Sequence, residues 1–338
     1  MSLYYIIVFL CIASFFFNRR VGESIGWSAF ILMTCMTLFR GDYVGTDTMN
    51  YLTYDAEHRI EEFIITYITG LIRVGSISER SIIYVTCIVT YLFSFLNIKR
   101  YRIDVRYFCL FFLIYGFFAM GLNISRQIAA TSVIAYFIPY IFDDTKKKSF
   151  LFFVGCIFAA GFHISSLYLV CLYVFRFFHF NNNNIPILIF VLGIVVLFDI
   201  LPINLILSAF LPETYTSGYS KAVLQNEEVS LIGYGYSVIV LGIYGYLYNY
   251  LNSRKDVWLF VFSAIIVNAT IGMDFAVARI FNVNSYIIVI FSCLAYTEYN
   301  MKRDGKLKMF FWFQVLMGLY MTLTFIQNHP DLRNFEFA

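Results

Sequence analysis

Four short stretches hold most of the groups in this chain that could do chemistry. FRGDYVGTDTMNY (39–51) carries Arg40, Asp42, Asp47 and Tyr51; MGLNISRQIAATS (120–132) carries Asn123, Arg126 and Gln127. AAGFHISSLY (159–168) carries His163, and DFAVARIFNVNSY (274–286) carries Asp274, Arg279 and Asn282. Guanidinium groups near helix starts, where backbone amides also point outward, suit an anion such as a phosphate. A histidine near its ordinary pKa, or a carboxylate, can take a proton from a hydroxyl. Amides and phenols beside them suit the hydroxyls of a neutral polar substrate. His163 has no second histidine or carboxylate at ligand spacing, so no metal site is expected.

Each stretch sits at the edge of an apolar run, and composition explains why. The 338 residues are 60% apolar and 13% charged, with a mean hydropathy of +0.74. Soluble domains average about 45–50% apolar and about 25% charged. The runs are continuous rather than alternating, which excludes a transmembrane β-barrel. The class is an all-α integral membrane protein. The 27 Tyr and 39 Phe suit lipid-facing and interfacial positions, and equally the stacking of sugar rings. A net charge of +3 without a basic tract excludes nucleic acid. All seven cysteines lie in apolar runs without CxxC spacing, so they read as packing residues. Residues 3–17 lack a basic leader and a cleavage site, and read as a retained span.

About twelve spans are expected, at 3–17, 25–39, 81–97, 107–122, 127–142, 150–162, 163–178, 185–201, 231–251, 257–273, 280–297 and 309–326. A further run, 63–75, is short and interrupted by Gly70 and Arg73, and reads as a re-entrant or interfacial helix. With that run not crossing, every basic loop falls on one side: Arg19–Arg20, Lys99–Arg106, Lys146–Lys148, Arg254–Lys255 and Lys302–Lys308. That side is cytoplasmic. All four chemical stretches then face outward, together with the acidic loops 40–62 and 202–230, which line or cover a site. The whole chain, 1–338, reads as one polytopic domain.

Each residue also has a plainer reading. Arg126 could snorkel to lipid headgroups, Asp274 and Arg279 could form a structural ion pair, and 39–51 could be a solvated loop. If the helix begins at 123, Asn123, Arg126 and Gln127 share one face. The convergence of all four stretches on one side favours a large anionic substrate with neutral polar parts.

The same stretches resemble the EpsG-like branch of the Wzy-type polysaccharide polymerases. The resemblance is carried by the arginine, VGTD and tyrosine of the first, by NISRQIAATS, by GFHISSLY and by ARIFNVNSY. It implies a GT-C-like membrane glycosyltransferase that needs no cofactor and no metal. Such an enzyme joins undecaprenyl-pyrophosphate-linked oligosaccharides on the outer side of the bacterial inner membrane, beside a flippase and a chain-length regulator. On that reading Arg126, Arg279 and Arg40 bind pyrophosphate. His163 and Asp47 are the two candidates for the base, left unranked, and Asp42, Asn123, Gln127, Tyr51 and Asn282 hold sugar. A flippase for lipid-linked sugars, a membrane acyltransferase and a non-catalytic scaffold are the competing classes. The one-sided placement of the polar groups favours an enzyme over a transporter.

Overall fold

The structure is a computed structural model that describes residues 2–41, 43–45, 62–142, 145–177, 231–251, 254–269, 275–298 and 304–328. The apolar run 185–201, the loop 202–230 and most of 40–62 lie outside the described residues. Every regular element among the described residues is helical. They are α1 (Ser2–Ala13), α2 (Arg19–Leu38), α3 (Phe63–Arg73), α4 (Ser81–Tyr101), α5 (Val105–Ile114), α6 (Phe117–Asn123), α7 (Ser125–Phe137), α8 (Lys146–Ala160), α9 (Leu231–Leu251), α10 (Val257–Ala269), α11 (Phe275–Glu298) and α12 (Gly305–Asn328). Short 3-10 geometry continues α7 over Ile138–Phe142, and a longer 3-10 segment follows α8 over Ile164–Phe177.

Two helices, α2 and α4, and Gly305–Thr324 of α12 are long and apolar enough to cross a membrane. The α5–α6 pair, bent by 60°, makes a fourth span if the two halves are counted as one. Large apolar side chains stand exposed on their outer faces: Ile31 on α2, Ile88 and Leu92 on α4, Leu316 and Tyr320 on α12. Such surfaces belong against lipid. Helix α3 has 11 residues, which at about 1.5 Å per residue rise about 16 Å, roughly half a hydrocarbon core.

The chain divides into two compact units, one of Met1–Tyr173 with Tyr296–Ala338 and one of Val174–Ala295. In the second, Tyr244 of α9 meets Phe260 of α10 edge-on at 5.8 Å, and Phe260 packs on Phe291 of α11 at 5.7 Å. Ser263 donates to the buried amide of Asn284 at 3.2 Å.

The first unit is organised around α4, α5 and α7. Three hydrogen bonds fix α7 along α4: Thr86 to Ser125 (3.1 Å), the Asn97 amide to the Ser132 carbonyl (3.0 Å), and the Tyr101 hydroxyl to the Ala135 carbonyl (3.0 Å). They hold the first turn of α7, and with it Arg126, in a set position. On the basic side Arg100 stacks on Tyr136 and Tyr140, with centroid distances of 4.6 and 4.1 Å. At the middle of α4, Tyr91 meets Thr37 of α2 at 2.9 Å.

The run 107–122 reads in sequence as one span, and the structure breaks it at Tyr115–Gly116, where Gly116 takes a φ of +76°. A break at this depth frees backbone carbonyls that lipid cannot satisfy. Helix α12 supplies the partner: Thr322 donates to the Ile114 carbonyl at 2.9 Å, and the Gln314 amide reaches the Tyr115 hydroxyl at 3.4 Å. Thr322→Val removes the first donor while keeping the shape. It is expected to lower stability by about 1 kcal/mol, read by thermal unfolding in detergent.

Candidate active site

The site is assembled where α2, α3, α6, α7 and the turn after α8 meet, all within the first compact unit. It starts with Arg40, two residues past the end of α2 and fully buried. Its Nη1 donates to the Gly121 carbonyl at 2.9 Å, satisfying a backbone acceptor near the end of α6. Its own carbonyl accepts from Nη2 of Arg80, just before α4. Gly45, of the VGTD sequence, has a φ of +87°, and a Cβ there would lie 2.1 Å from the Leu122 carbonyl oxygen. Gly45, in a short strap of residues 43–45, is therefore packed backbone-to-backbone on Leu122 and Asn123, the last residues of α6.

A kink follows. Asn123 ends α6, Ile124 leaves helical geometry (φ −105°, ψ 50°), and α7 begins at Ser125. Asn123 thus shares no helix with Arg126 and Gln127, and the common face expected for the three is not formed. The expectation that Arg126 opens a helix holds, but its guanidinium does not reach outward as a snorkelling side chain would. It is 9% exposed and forms an ion pair with Glu62, itself 2% exposed. Gln127 is buried too, and neither end of its amide has a hydrogen-bond partner among the described residues.

Glu62 precedes α3, and the first turn of α3 docks on the turn that follows α8. The amides of Ile64 and Ile65 donate to the Gly161 carbonyl at 3.1 and 3.3 Å. Two residues on, His163 turns back on its own loop: the Ser165 amide donates to Nδ1 at 3.3 Å, and the Ser165 hydroxyl lies 2.7 Å from the same nitrogen. A backbone amide can only donate, so Nδ1 is the acceptor and the neutral ring carries its proton on Nε2.

Three of the four sequence stretches are thus joined through backbone and ion-pair contacts: Arg40 with Gly121, Gly45 with Leu122, Arg126 with Glu62, and Glu62's helix with Gly161. Asp42, Asp47 and Tyr51 lie outside the described residues. Arg279 and Asn282 fall in the first two turns of α11, in the other compact unit, and their side chains lie outside the described part. No group of three or more His, Cys, Asp and Glu side chains able to hold a metal occurs among the described residues.

Sequence reasoning missed Glu62 and Arg80. Glu62 was one of six acids in a polar loop, and its only mark was its place immediately before an apolar helix. Arg80 stood in the same relation to α4, and nothing in the sequence tied it to Arg40.

Buried charges and a histidine turn held among apolar helices, several able to cross a membrane, define a helical membrane protein with a polar site near helix ends. Comparison with known families agrees: the EpsG family model matches residues 24–337, and the chain belongs to that family. The membership, with the apolar helices, places it among membrane proteins of polysaccharide biosynthesis. No curated protein and no solved structure matches the chain.

Proposed function

We propose that this protein is a polysaccharide polymerase, an integral-membrane glycosyltransferase that joins lipid-pyrophosphate-linked repeat units. The observation that carries the reading is the Arg126–Glu62 pair: a buried, oriented guanidinium at a helix start, whose partner precedes a helix docked on Gly161, two residues before His163. A buried arginine is suited to bear the charge that develops on a departing pyrophosphate, because its dipole and donors are already in place. Family membership supplies the sugar chemistry.

In the reaction, a hydroxyl of the incoming repeat unit attacks the anomeric carbon at the reducing end of the growing chain. The bond from that carbon to the pyrophosphate oxygen breaks, and its electron pair leaves with the pyrophosphate. Arg126, with Arg40, binds that anion. The Nε2–H tautomer suits His163 to donate a hydrogen bond to the leaving group, which leaves Asp47 to take the proton of the acceptor hydroxyl. Asp42, Tyr51, Asn123 and Gln127 hold sugar hydroxyls. The chain spans the bacterial inner membrane about twelve times in a GT-C-like arrangement, with this site outward. Its donor and acceptor are undecaprenyl-pyrophosphate-linked oligosaccharides, delivered by a flippase, and a chain-length regulator is a further partner.

Purified protein in liposomes, given lipid-linked repeat units, is expected to make a ladder of polymer that persists in EDTA. A ladder lost in EDTA and restored by Mg²⁺ would overturn the metal-independent step. Absence of any ladder, with intact protein and substrate, would overturn the polymerase reading.

The role of His163 has its own test. His163→Gln places an amide N–H near the position of Nε2, whereas His163→Ala places nothing there. If the ring donates, the glutamine variant retains at least about tenfold more turnover than the alanine variant, within the range of about 10²–10⁴ for such groups. Equal loss in both returns His163 to the role of base.

A further inference from the structure

We infer that Glu62 is a selectivity residue: its carboxylate occupies Arg126 in the resting protein as a counter-ion that a pyrophosphate displaces and a monophosphate does not. The inference rests on the reading of Arg126 as the anion site.

Two observations carry it. Both partners are buried, Arg126 at 9% and Glu62 at 2% exposure. Removing either charge from such a pair strands the other in a poorly solvated place. An incoming anion that takes the Nη1 donor therefore exchanges with the carboxylate that now holds it. A monophosphate ester brings one to two charges against a carboxylate already tethered in position. A pyrophosphate ester brings more charge and more oxygens able to engage the guanidinium fork.

The second observation is what Glu62 leaves undone. It stands at the N-cap of α3, yet its side chain caps nothing. A side chain at that position ordinarily accepts from the second or third amide of its helix. Here those amides belong to Ile64 and Ile65, and both donate to the Gly161 carbonyl instead. The displaced carboxylate thus has a destination one turn away, where the helix dipole favours negative charge. If it takes those amides, Gly161 loses its two donors, and the turn carrying His163, two residues on, is released. Arg126 bonded to Glu62 goes with Gly161 bonded to α3; Arg126 bonded to ligand goes with Glu62 capping α3. Anion binding is in this way coupled to the histidine turn through one short helix.

The test uses the full chain in lipid nanodiscs with three probes: a prenyl pyrophosphate, the matching prenyl monophosphate and inorganic pyrophosphate. The wild type is expected to prefer the prenyl pyrophosphate to the monophosphate by about tenfold or more. Glu62→Gln, which keeps shape and removes charge, is expected to tighten monophosphate binding by about tenfold and erase most of that preference. Hydrogen exchange on the wild type needs no variant: the prenyl pyrophosphate should alter protection of the Ile64 and Ile65 amides and of 161–165, and the monophosphate should not. Unchanged discrimination in Glu62→Gln, or unchanged protection in the wild type, overturns the exchange while leaving the polymerase reading intact. Failure of both proteins to bind either prenyl probe overturns the anion site itself, and the exchange with it. Inorganic pyrophosphate binding as tightly as the prenyl ester would assign the site to free diphosphate and overturn the lipid-borne ligand.

Discussion

Arg126→Ala is expected to leave single repeat units on their lipid and no detectable polymer. Losing one preorganised donor to developing charge costs about 10²–10³ in turnover, and a buried guanidinium contributes at least that much. The same substitution breaks the buried ion pair with Glu62, at a cost of about 3–5 kcal/mol in stability. Loss of polymer alone would therefore not separate chemistry from folding. The double variant Arg126→Ala/Glu62→Gln does, because it removes both charges together. It is expected to recover most of the thermal stability in detergent and none of the polymer. Polymer restored in the double variant would reduce Arg126 to a structural partner of Glu62 and sink the anion-clamp assignment.

The second large effect is at Gly45. A Cβ there meets the Leu122 carbonyl oxygen at 2.1 Å, which is backbone and cannot swing aside, and the φ of +87° disfavours any L side chain. Gly45→Ala should lift the 43–45 strap off the end of α6, at a cost of about 1–3 kcal/mol. The strap leads directly into Asp47, and a misplacement of about 1 Å near reacting groups costs about 10²-fold. Gly75 provides the control. It too has a positive φ, +70°, but a Cβ there would meet nothing within 4 Å. Gly75→Ala therefore tests the backbone term alone and is expected to retain polymer yield. Equal losses in the two variants would show that conformational strain, not the contact with Leu122, governs the strap.

What the sequence made legible follows from which forces act locally. Apolar runs bounded by charge mark helices because lipid and core exclude polar backbone, and the described helices fall on those runs. Arg126 at a helix start was readable for the same reason, since the polar-to-apolar step is itself the signal. The bend at Tyr115–Gly116 was not readable, because its stabilising donor, Thr322, comes from a distant helix. Nor was the partner of Arg126: Glu62 is one acid among six in its loop, and only the docking of α3 on Gly161 selects it. The face expected for Asn123, Arg126 and Gln127 failed at Ile124, whose dihedrals are set by the packing of Gly45 and Arg40 on the end of α6, not by its own propensity. Local composition thus marked the polar stretches, and long-range contacts decided which of their residues meet.

The capped break between α5 and α6 bears on how the protein is made. Ile114 leaves the ribosome 208 residues ahead of Thr322. At translation rates of about 5–20 residues per second, that interval is about 10–40 s. For that time the nascent chain holds an uncapped carbonyl among its apolar helices, close in sequence to the α6–α7 turn that bears Arg126. A ribosome stalled before α12 would present an inserted but unfinished site, a natural substrate for the quality-control proteases of the membrane.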